Sequence, residues 1–476
     1  MNLQEALAAL APGLMVAGAE GVPITDVVID SRRATAGSLF VALRGERNDG
    51  HDYAPQAMAA GATVVLVERP VEGAATVDTL HGAAPARVMP PVAVVVPNAL
   101  QALQRLAQAR RQAHPGLRVV GITGSLGKTT TKEAVAAVLA QCYPTLKSAG
   151  NYNNEIGLPL TLLELNPAHR CAVLEMGMYA LGEIAALCEI ARPQVGVVTN
   201  VYPIHLERLG SIERIAQAKA ELVRALPAEG LAVLNGDDPR VRAMAAETPA
   251  HVVTFGLGPE NWLSAEEITP LGLEGVRFVA RLHGTAGLAI AEARRELELR
   301  TLGAHGVWSA LPAIAVGLWE GLGWAEIQQG LLALGHGLRL QPKRGLGDIL
   351  ILDDTYNASP PSMVAALDAL AGLPGRHVAV LGDMFELGAE EESGHRQVGR
   401  RCGHDVDLLV TVGARARTIA AEARKAGLAL IHETPDNAAA IALLRELLRA
   451  GDVVLVKGSR GMAMEEIVHA LEEPAP

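Results

Sequence analysis

Residues 118–133 constrain the fold of this chain more than any other stretch. A β-branched run leads into Thr-Gly-Ser-Leu-Gly-Lys-Thr-Thr, and an apolar-periodic segment follows. That order predicts a strand, a glycine-rich loop and a helix. Such a loop aims backbone N–H groups and a helix N-terminus at a polyphosphate, because glycine has no Cβ to block the approach. The stretch therefore predicts a nucleotide site.

Two residues of this loop are predicted to bind different parts of the nucleotide–metal complex. Lys128 would reach the outer phosphates, and the Thr129 hydroxyl would hold Mg²⁺. The strict phosphate-loop motif needs glycine where this chain has Ile122, so the spacing is a variant of that motif. A plain glycine-rich turn is the alternative. The predicted nucleotide-binding residues are Thr123, Gly124, Ser125, Gly127, Lys128, Thr129 and Thr130.

Length and charge limit the class of protein. A chain of 476 residues is too long for one ordinary core and predicts two or three domains. Its net charge of −11 argues against a surface for nucleic acid or anionic membranes. No basic leader and no apolar run of about 18 residues occur, so we expect a cytoplasmic protein without membrane insertion. The four cysteines lack metal-binding spacing, so we expect them to be reduced and mostly buried.

The chain divides into three α/β regions. Residues 1–98 hold short strands and a helix near residues 53–60, and the proline-rich stretch at 85–97 indicates a linker or an edge loop. Residues 99–336 alternate strands and helices, which predicts a parallel sheet covered by helices. Residues 337–476 repeat the alternation.

Polar residues follow several predicted strands, and ligands of parallel sheets gather at the carboxyl ends of strands. In the central region, Glu175 ends one strand and His205 lies in the loop after another. In the third region, four strands end in polar clusters that would form one rim. These clusters lie at 353–357, 382–383, 413–415 and 457–460.

The N-terminal region contains two polar segments with two possible explanations. Ser31 and Arg32, and the later Arg44 and His51, could bind a phosphate-bearing ligand through charge-assisted hydrogen bonds. They could equally be solvated turn residues.

Lys219 also has an ordinary explanation. It lies between two alanines on a helix predicted from Ile212 to about Leu226, with Ser211 as the N-cap. A lysine in that setting usually marks an exposed helix face, and the helix in isolation favours that interpretation.

Six motifs occur together in a characteristic order. They are the loop at 123–130 and the segments at 150–163, 174–178, 199–207, 218–221 and 234–239. With these motifs the chain resembles the Mur ligases of peptidoglycan synthesis over almost its whole length. The segments at 30–33, 354–360 and 457–462 are most similar to the branch of that family that joins D-Ala-D-Ala to a UDP-MurNAc-tripeptide.

The resemblance implies an ATP-driven amide ligase with three domains. Residues 1–98 would bind the UDP-sugar, residues 99–336 would form a P-loop-type ATPase domain, and residues 337–476 would form a Rossmann-like domain. In this family a substrate carboxylate attacks the γ-phosphate of ATP, and the incoming amine then displaces phosphate from the acyl phosphate. We expect a monomer.

The same resemblance implies a set of metal-binding residues for two Mg²⁺ ions. Thr129 would serve the first ion, and Glu175 with His205 the other. Lys219 now changes meaning, because the corresponding lysine of similar ligases is carbamylated by CO₂ and becomes a carboxylate that contacts or orients Mg²⁺.

Substrate contacts are also implied by the resemblance. Asn153 and Asn154 would face the tripeptide. The residues for the UDP-sugar would be Ser31, Arg32, Arg44 and His51. The residues for the nucleotide in the last domain would be Arg339, Asp354, Tyr356 and Asn357. The candidates for the dipeptide carboxylate are Lys457, Ser459 and Arg460, because an Arg fork and a nearby ammonium suit that anion.

Two departures from the family pattern concern adenine. The family usually has a His-Asn-x-x-Asn run near the end of the central domain, and this chain has His305-Gly-Val-Trp-Ser309. The Gly-Arg pair that opens the last domain is Leu338-Arg339 here. We expect Trp308 or backbone groups to take over part of adenine recognition.

Three other functions remain as alternatives. A Mur ligase that adds a diamino acid, or a folylpolyglutamate synthase, would share the central domain; the Asp-Asn-Pro-Arg motif of the diamino-acid branch is absent. A P-loop switch or transport ATPase would hydrolyse ATP without a peptide substrate. A non-catalytic binding module would not need Lys128.

Overall fold

The computed structural model describes residues 1–45, 47–203, 209–284, 293–334 and 340–473. The chain forms two compact units. The first comprises residues 1–121, 144–178 and 182–194, and the second comprises residues 122–143, 179–181 and 195–476.

Helices and strands alternate along most of the described chain. The helices are α1 (Leu3–Leu10), α2 (Ala54–Ala59), α3 (Ala99–Gln112), α4 (Lys128–Leu139), α5 (Gly157–Leu163), α6 (Glu183–Ala191), α7 (Ile212–Arg224), α8 (Pro239–Ala243), α9 (Val307–Trp319), α10 (Trp324–Ala333), α11 (Pro360–Ala371), α12 (Glu391–Asp405), α13 (Arg417–Lys425), α14 (Asn437–Leu447) and α15 (Glu465–Leu471). The strands are β1 (Asp26–Val28), β2 (Ser38–Val41), β3 (Val64–Val67), β4 (Ala75–Asp78), β5 (Val92–Val95), β6 (Arg118–Thr123), β7 (Thr145–Lys147), β8 (Cys171–Glu175), β9 (Val195–Val198), β10 (Leu231–Asn235), β11 (His251–Gly256), β12 (Leu263–Pro270), β13 (Val276–Leu282), β14 (Arg294–Leu299), β15 (Gln341–Gly345), β16 (Ile349–Asp353), β17 (Arg376–Gly382), β18 (Leu408–Val412), β19 (Ile431–Thr434) and β20 (Asp452–Lys457).

The N-terminal sheet has five parallel strands in the order β1-β2-β3-β5-β4. Every residue of β2, β3 and β5 is buried, as expected for strands covered on both faces. The prediction of a linker or edge loop at 85–97 was wrong, because β5 lies inside that stretch and pairs with β3 and β4. Pro90, Pro91 and Pro97 flank the strand, so no proline interrupts its hydrogen bonds.

The second sheet has nine strands in the order β14-β13-β12-β11-β10-β9-β6-β8-β7. The predicted parallel pairing is confirmed for β9 with β10. Strand β11, which the sequence interpretation missed, also pairs in parallel with β10. Strands β12, β13 and β14 form an antiparallel extension that the sequence interpretation missed. Its exposed charged residues alternate only partly with buried apolar ones, so the period-two signal of a half-exposed strand is weak there.

The third sheet has the order β15-β16-β20-β17-β18-β19, and all pairs except β15 with β16 are parallel. Alternate residues of β20 face opposite cores: Val453 and Leu455 pack with α11, α12 and α13, whereas Val454 and Val456 pack with α14 and α15. Helices therefore cover both faces, which is the Rossmann-like arrangement that the resemblance implied. The sequence interpretation missed β15 and β19.

Cysteine burial agrees with the expectation from the sequence. Cys171, Cys188 and Cys402 are buried and Cys142 is exposed. Burial raises the pKa of the Cys402 thiol to about 12. Within the described ranges, no helix has both the length and the apolarity needed to cross a membrane.

Helix α3 carries a buried guanidinium that joins three parts of the first unit. Arg111 donates hydrogen bonds to the carbonyl oxygens of Ala191 (2.9 Å), His114 (2.9 Å) and Leu117 (3.2 Å). Burial lowers the pKa of Arg111 from its usual value. Because buried carbonyl groups need a donor, this side chain satisfies the backbone where α3 and α6 end and β6 begins.

We predict that Arg111→Met destabilises the first unit by about 2 to 4 kcal/mol, because the apolar replacement leaves buried carbonyl groups without donors. Native-state hydrogen exchange of the α3 amides measures the loss. The control is Arg105→Met on the exposed face of the same helix, which should stay within about 0.5 kcal/mol of the wild type. Equal protection factors in Arg111→Met and the wild type would refute the prediction.

Candidate functional site

The predicted phosphate loop joins the end of β6 to the start of α4. Gly127 precedes the helix with φ of 78°, in the left-handed region that favours glycine. Gly124 has φ of 148°, and a Cβ there would lie 1.8 Å from Thr199 Oγ1. Both glycines are therefore required by the backbone, and the predicted strand, loop and helix are confirmed.

A segment after β9 holds this loop in place. The amide of Ser125 donates to the Asn200 carbonyl oxygen (2.9 Å), and the amide of Leu126 donates to Asn200 Oδ1 (2.8 Å). The carbonyl oxygen of Leu126 accepts from Thr199 Oγ1 (2.7 Å) and Asn200 Nδ2 (3.0 Å). The sequence interpretation quoted Thr199 and Asn200 only as part of a motif, and it missed this role.

Lys128 lies at the first position of α4. Its ammonium donates to the carbonyl oxygens of Gly124 (2.9 Å) and Ser125 (3.2 Å), so the side chain folds back across the loop. Thr129 and Thr130 follow in the first turn and are partly exposed. First-turn N–H groups have no acceptor one turn earlier in a helix, which makes this end of α4 favourable for an anion.

Lys219 lies on α7, and only 2% of it is exposed. The exposed-face interpretation of this lysine was wrong, whereas the Ser211 N-cap is confirmed by its hydrogen bond from the Arg214 amide. Burial, and then the positive charge of Lys128, hold the pKa of Lys219 well below its usual value. Both effects disfavour the protonated form, so the site stabilises a neutral amine.

Glu175, at the end of β8, is held in a polar cluster of the first unit. Its Oε1 accepts from Asn153 Nδ2 (2.8 Å), and its amide donates to Ser148 Oγ (3.2 Å). The carbonyl oxygen of Asn153 accepts from the Gly177 amide (2.8 Å). The predicted substrate residue Asn153 therefore orients the predicted metal ligand Glu175, and Ser148 joins the cluster without any sequence signal.

Asn154 contacts backbone in the same unit. Its Oδ1 accepts from the amides of Gly157 (2.9 Å) and Ile156 (3.3 Å). The side chain thus orders the backbone just before helix α5, which begins at Gly157.

The rim of the third sheet brings two predicted groups together. Lys457 Nζ lies 2.5 Å from Asp354 Oδ2 and donates to the Asn357 carbonyl oxygen (2.9 Å). Lys457 is 1% exposed, and Asp354 is also buried. A residue predicted for the dipeptide thus forms an ion pair with one predicted for the nucleotide.

Three other rim residues lie near this pair in the chain. The Arg460 guanidinium lies over the Tyr356 ring, 5.6 Å from its centroid, in cation–π geometry. Ser459 Oγ accepts from the Phe385 amide (2.8 Å). Among the described residues, Lys457 thus contacts Asp354 and Asn357, and Arg460 contacts Tyr356, where β16 and β20 end.

The segment that departs from the family pattern borders both the phosphate helix and the rim. Burial lowers the pKa of His305, while the Asp354 carboxylate opposes the shift and the Lys457 ammonium adds to it. At the start of α9, Ser309 Oγ lies 3.4 Å from Thr131 Oγ1 of α4. Ser309 therefore packs against the helix that follows the phosphate loop.

The first polar segment of the N-terminal domain is ordered by its own side chains. Ser31 Oγ donates to Gln56 Oε1 (2.9 Å). Arg32 is exposed and forms a two-pronged ion pair with Asp30. Hydrogen bonds from Arg32 lower the pKa of Asp30 to about 2.

The second polar segment contains a buried histidine with a defined tautomer. The Glu68 amide donates to His51 Nε2 (2.8 Å), so Nδ1 carries the proton and donates to Asp49 Oδ1 at 2.5 Å. Both ring nitrogens therefore have partners inside the domain. Arg44 pairs with Glu68 Oε2 (3.1 Å) and is largely exposed.

His205 and Arg339 lie outside the described residues. In the part of the chain that the structure describes, no group of three or more His, Cys, Asp or Glu residues forms a ready metal site.

Family models match three successive parts of the chain. A model described as the Mur ligase family catalytic domain matches residues 23–111, the Mur ligase middle domain matches residues 122–317, and the Mur ligase glutamate ligase domain matches residues 338–460.

Similar proteins span almost the whole chain. The UDP-N-acetylmuramoyl-tripeptide–D-alanyl-D-alanine ligase of Synechocystis is 38% identical over 460 residues, covering 95% of this chain and 93% of its own. A crystal structure of MurF from Acinetobacter baumannii has a TM-score of 0.82 at 30% identity and covers 98% of this chain and 97% of its own. MurF ligase from Thermotoga maritima in complex with ADP has a TM-score of 0.75 at 27% identity, with 94% and 97% covered. The chain belongs to the Mur ligase family.

Proposed function

We propose that this chain is an ATP-dependent ligase that joins D-Ala-D-Ala to UDP-MurNAc-tripeptide in peptidoglycan precursor synthesis. The observation that carries the proposal is the phosphate loop with Lys128 at its end, together with a second buried lysine, Lys219, whose pKa is lowered by burial and by the charge of Lys128. A nucleotide switch has no evident need for that second amine. The names of the similar full-length proteins support the choice of substrates.

The proposed reaction has two steps. A terminal carboxylate oxygen of the tripeptide attacks the γ-phosphorus of ATP, the bond to the bridging oxygen breaks, and ADP leaves. The amine of D-Ala-D-Ala then attacks the acyl carbon of the acyl phosphate and loses a proton. The resulting tetrahedral intermediate expels phosphate and leaves the amide. Lys128 would neutralise charge on the γ-phosphate during the first step, and the loop N–H groups would orient the phosphates.

The described donor groups fit Mg²⁺. Oxygen ligands suit this ion, and Glu175 presents a carboxylate that Asn153 holds at one oxygen. When bound, Mg²⁺ would add positive charge at the phosphates. We propose Thr129, Glu175, His205 and Lys219 as the residues that serve it.

Lys219 is proposed to act as a carbamate. The neutral amine is the form that attacks CO₂: its Nζ lone pair forms the N–C bond, and one proton leaves to solvent. Burial, and then the charge of Lys128, lower the pKa of Lys219, and both effects favour that form over the ammonium. The product is an anion, which relieves the repulsion between this position and Lys128.

The remaining site residues and boundaries stay proposals. Domains at 1–98, 99–336 and 337–476, a cytoplasmic location and a monomer remain predictions from the sequence. The residues proposed for the UDP-sugar are Ser31, Arg32, Arg44 and His51, and those for the tripeptide are Asn153 and Asn154. The residues proposed for the nucleotide in the last domain are Arg339, Asp354, Tyr356 and Asn357. For the dipeptide, Ser459 and Arg460 are proposed as direct contacts, and Lys457 as a charge that also holds Asp354.

Substrate selection tests the function directly. We expect turnover with UDP-MurNAc-tripeptide plus D-Ala-D-Ala, and phosphate release only when both are present. Turnover confined to UDP-MurNAc-dipeptide with diaminopimelate or lysine would favour the diamino-acid branch instead. Steady ATP hydrolysis without either peptide would favour a switch ATPase.

We predict that Lys128→Ala lowers kcat by at least about 100-fold, because it removes on the order of 3 kcal/mol of charge stabilisation on the γ-phosphate. Initial rates of ADP formation measure the effect. The control is Lys425→Ala, a largely exposed lysine of α13 paired with Glu422, which should keep wild-type rates. An active Lys128→Ala enzyme would rule out the proposed role.

We predict that Lys219→Ala is inactive and is partly rescued by a short carboxylic acid that replaces the carbamate. Enzyme prepared with ¹³CO₂ should also show a carbamate carbon resonance that Lys219→Ala lacks. Full activity of the variant without rescue would contradict the carbamate role.

A further inference from the structure

Residues 199–202 hold the phosphate loop, and two side chains, one at the end of β10 and one just after it, hold residues 199–202. We propose that Asn235 and Asp238 are positioning residues for ATP binding, acting through this segment on the backbone of the loop. The inference rests on the proposed function, because it takes the loop as the ATP site.

The loop depends on residues 199–202 for its shape. Besides the bonds from Thr199 and Asn200, the Ser125 hydroxyl accepts from the Tyr202 amide (2.9 Å) and donates to the Tyr202 carbonyl oxygen (3.1 Å). The amides of Ser125 and Leu126 and the Ser125 hydroxyl thus bond to this segment, whereas the Ser125 carbonyl oxygen accepts from Lys128. A shift of the segment would displace the loop and, with it, the first turn of α4, whose N–H groups are proposed to bind the phosphates, and preorganised donors lose their effect when displaced.

Asn235 fixes the first residue of the segment. Its Nδ2 donates to the Thr199 carbonyl oxygen at 2.7 Å, and its Oδ1 accepts from the Asp237 amide at 3.0 Å. Asn235 is 7% exposed, so its hydrogen bonds are shielded from water. It lies at the end of β10, which pairs in parallel register with β9.

Asp238 fixes the third residue. Its Oδ2 accepts from the Val201 amide at 2.8 Å, while its Oδ1 accepts from the Arg240 amide at 2.9 Å and begins α8. Both partners are donors, so the position needs two acceptor oxygens. An asparagine has one acceptor and would direct an N–H group at one of the two amides.

Asp237 supplies a matched comparison. This neighbouring carboxylate accepts from the Leu257 amide (2.7 Å) and from Asn261 Nδ2 (2.7 Å). Those partners lie between β11 and β12, and Asp237 has no hydrogen bond to residues 199–202 among the described contacts. Substitution of Asp237 removes the same charge from the same turn while the loop anchor stays intact.

The test compares Asp238→Asn with Asp237→Asn. Binding of a non-hydrolysable ATP analogue with Mg²⁺ is measured by titration calorimetry, together with KM for the UDP-sugar tripeptide. We expect Asp238→Asn to raise the analogue Kd by at least about tenfold and Asp237→Asn by less than about twofold, with the tripeptide KM unchanged in both. A role in folding alone would lower the melting temperature of both variants and leave both Kd values alone, which would overturn the inference.

A second variant guards against misfolding of Asp238→Asn. Asn235→Ala should weaken analogue binding in the same direction, and hydrogen exchange at the Ser125 and Leu126 amides should speed up while β10 stays protected. Unchanged exchange at those amides would overturn the inference. Failure of the wild-type chain to bind the analogue would refute the proposed function itself, so the two failures are distinguishable.

Discussion

The close approach of Gly124 to Thr199 is the constraint on which the nucleotide loop depends. A Cβ at Gly124 would lie 1.8 Å from Thr199 Oγ1, so no other residue fits without moving the end of β9. Because the gap is closed, Thr199 and Asn200 reach the Leu126 carbonyl oxygen and fix the loop from outside. Gly124 thus has two functions. It lets the chain turn after β6, and it lets Thr199 and Asn200, which follow β9, hold the turn.

Charge is the second organising feature of the same unit. Lys128 folds over the loop carbonyl groups. Lys219 is buried, and the positive charge of Lys128 adds to the lowering of its pKa by burial. A protonated Lys219 would be costly there, since burial and a like charge act in the same direction. The position therefore favours a neutral amine or, after carbamylation, an anion, and the second state complements Lys128.

The sequence predicted those parts of the structure whose signals are local. The glycine loop, the strands β8 to β10 and the Ser211 cap depend on spacing within a few residues, and all are confirmed. Burial of Lys219 could not be predicted from its helix alone, because burial depends on what packs against the helix in the folded chain. For the same reason the ion pair of Lys457 with Asp354 joins residues that the sequence interpretation assigned to different ligands. Family resemblance predicted roles for single residues, whereas the residues that each of them contacts could be seen only in the folded structure.

The central claim is that this enzyme activates a carboxylate by transferring the γ-phosphoryl group to it. The most direct measurement uses UDP-MurNAc-tripeptide with ¹⁸O in its terminal carboxyl group, and mass spectrometry of the phosphate released during ligation with D-Ala-D-Ala. An acyl phosphate leaves one carboxyl oxygen on phosphorus, so the account predicts one ¹⁸O atom in each phosphate. Phosphate without ¹⁸O would contradict it.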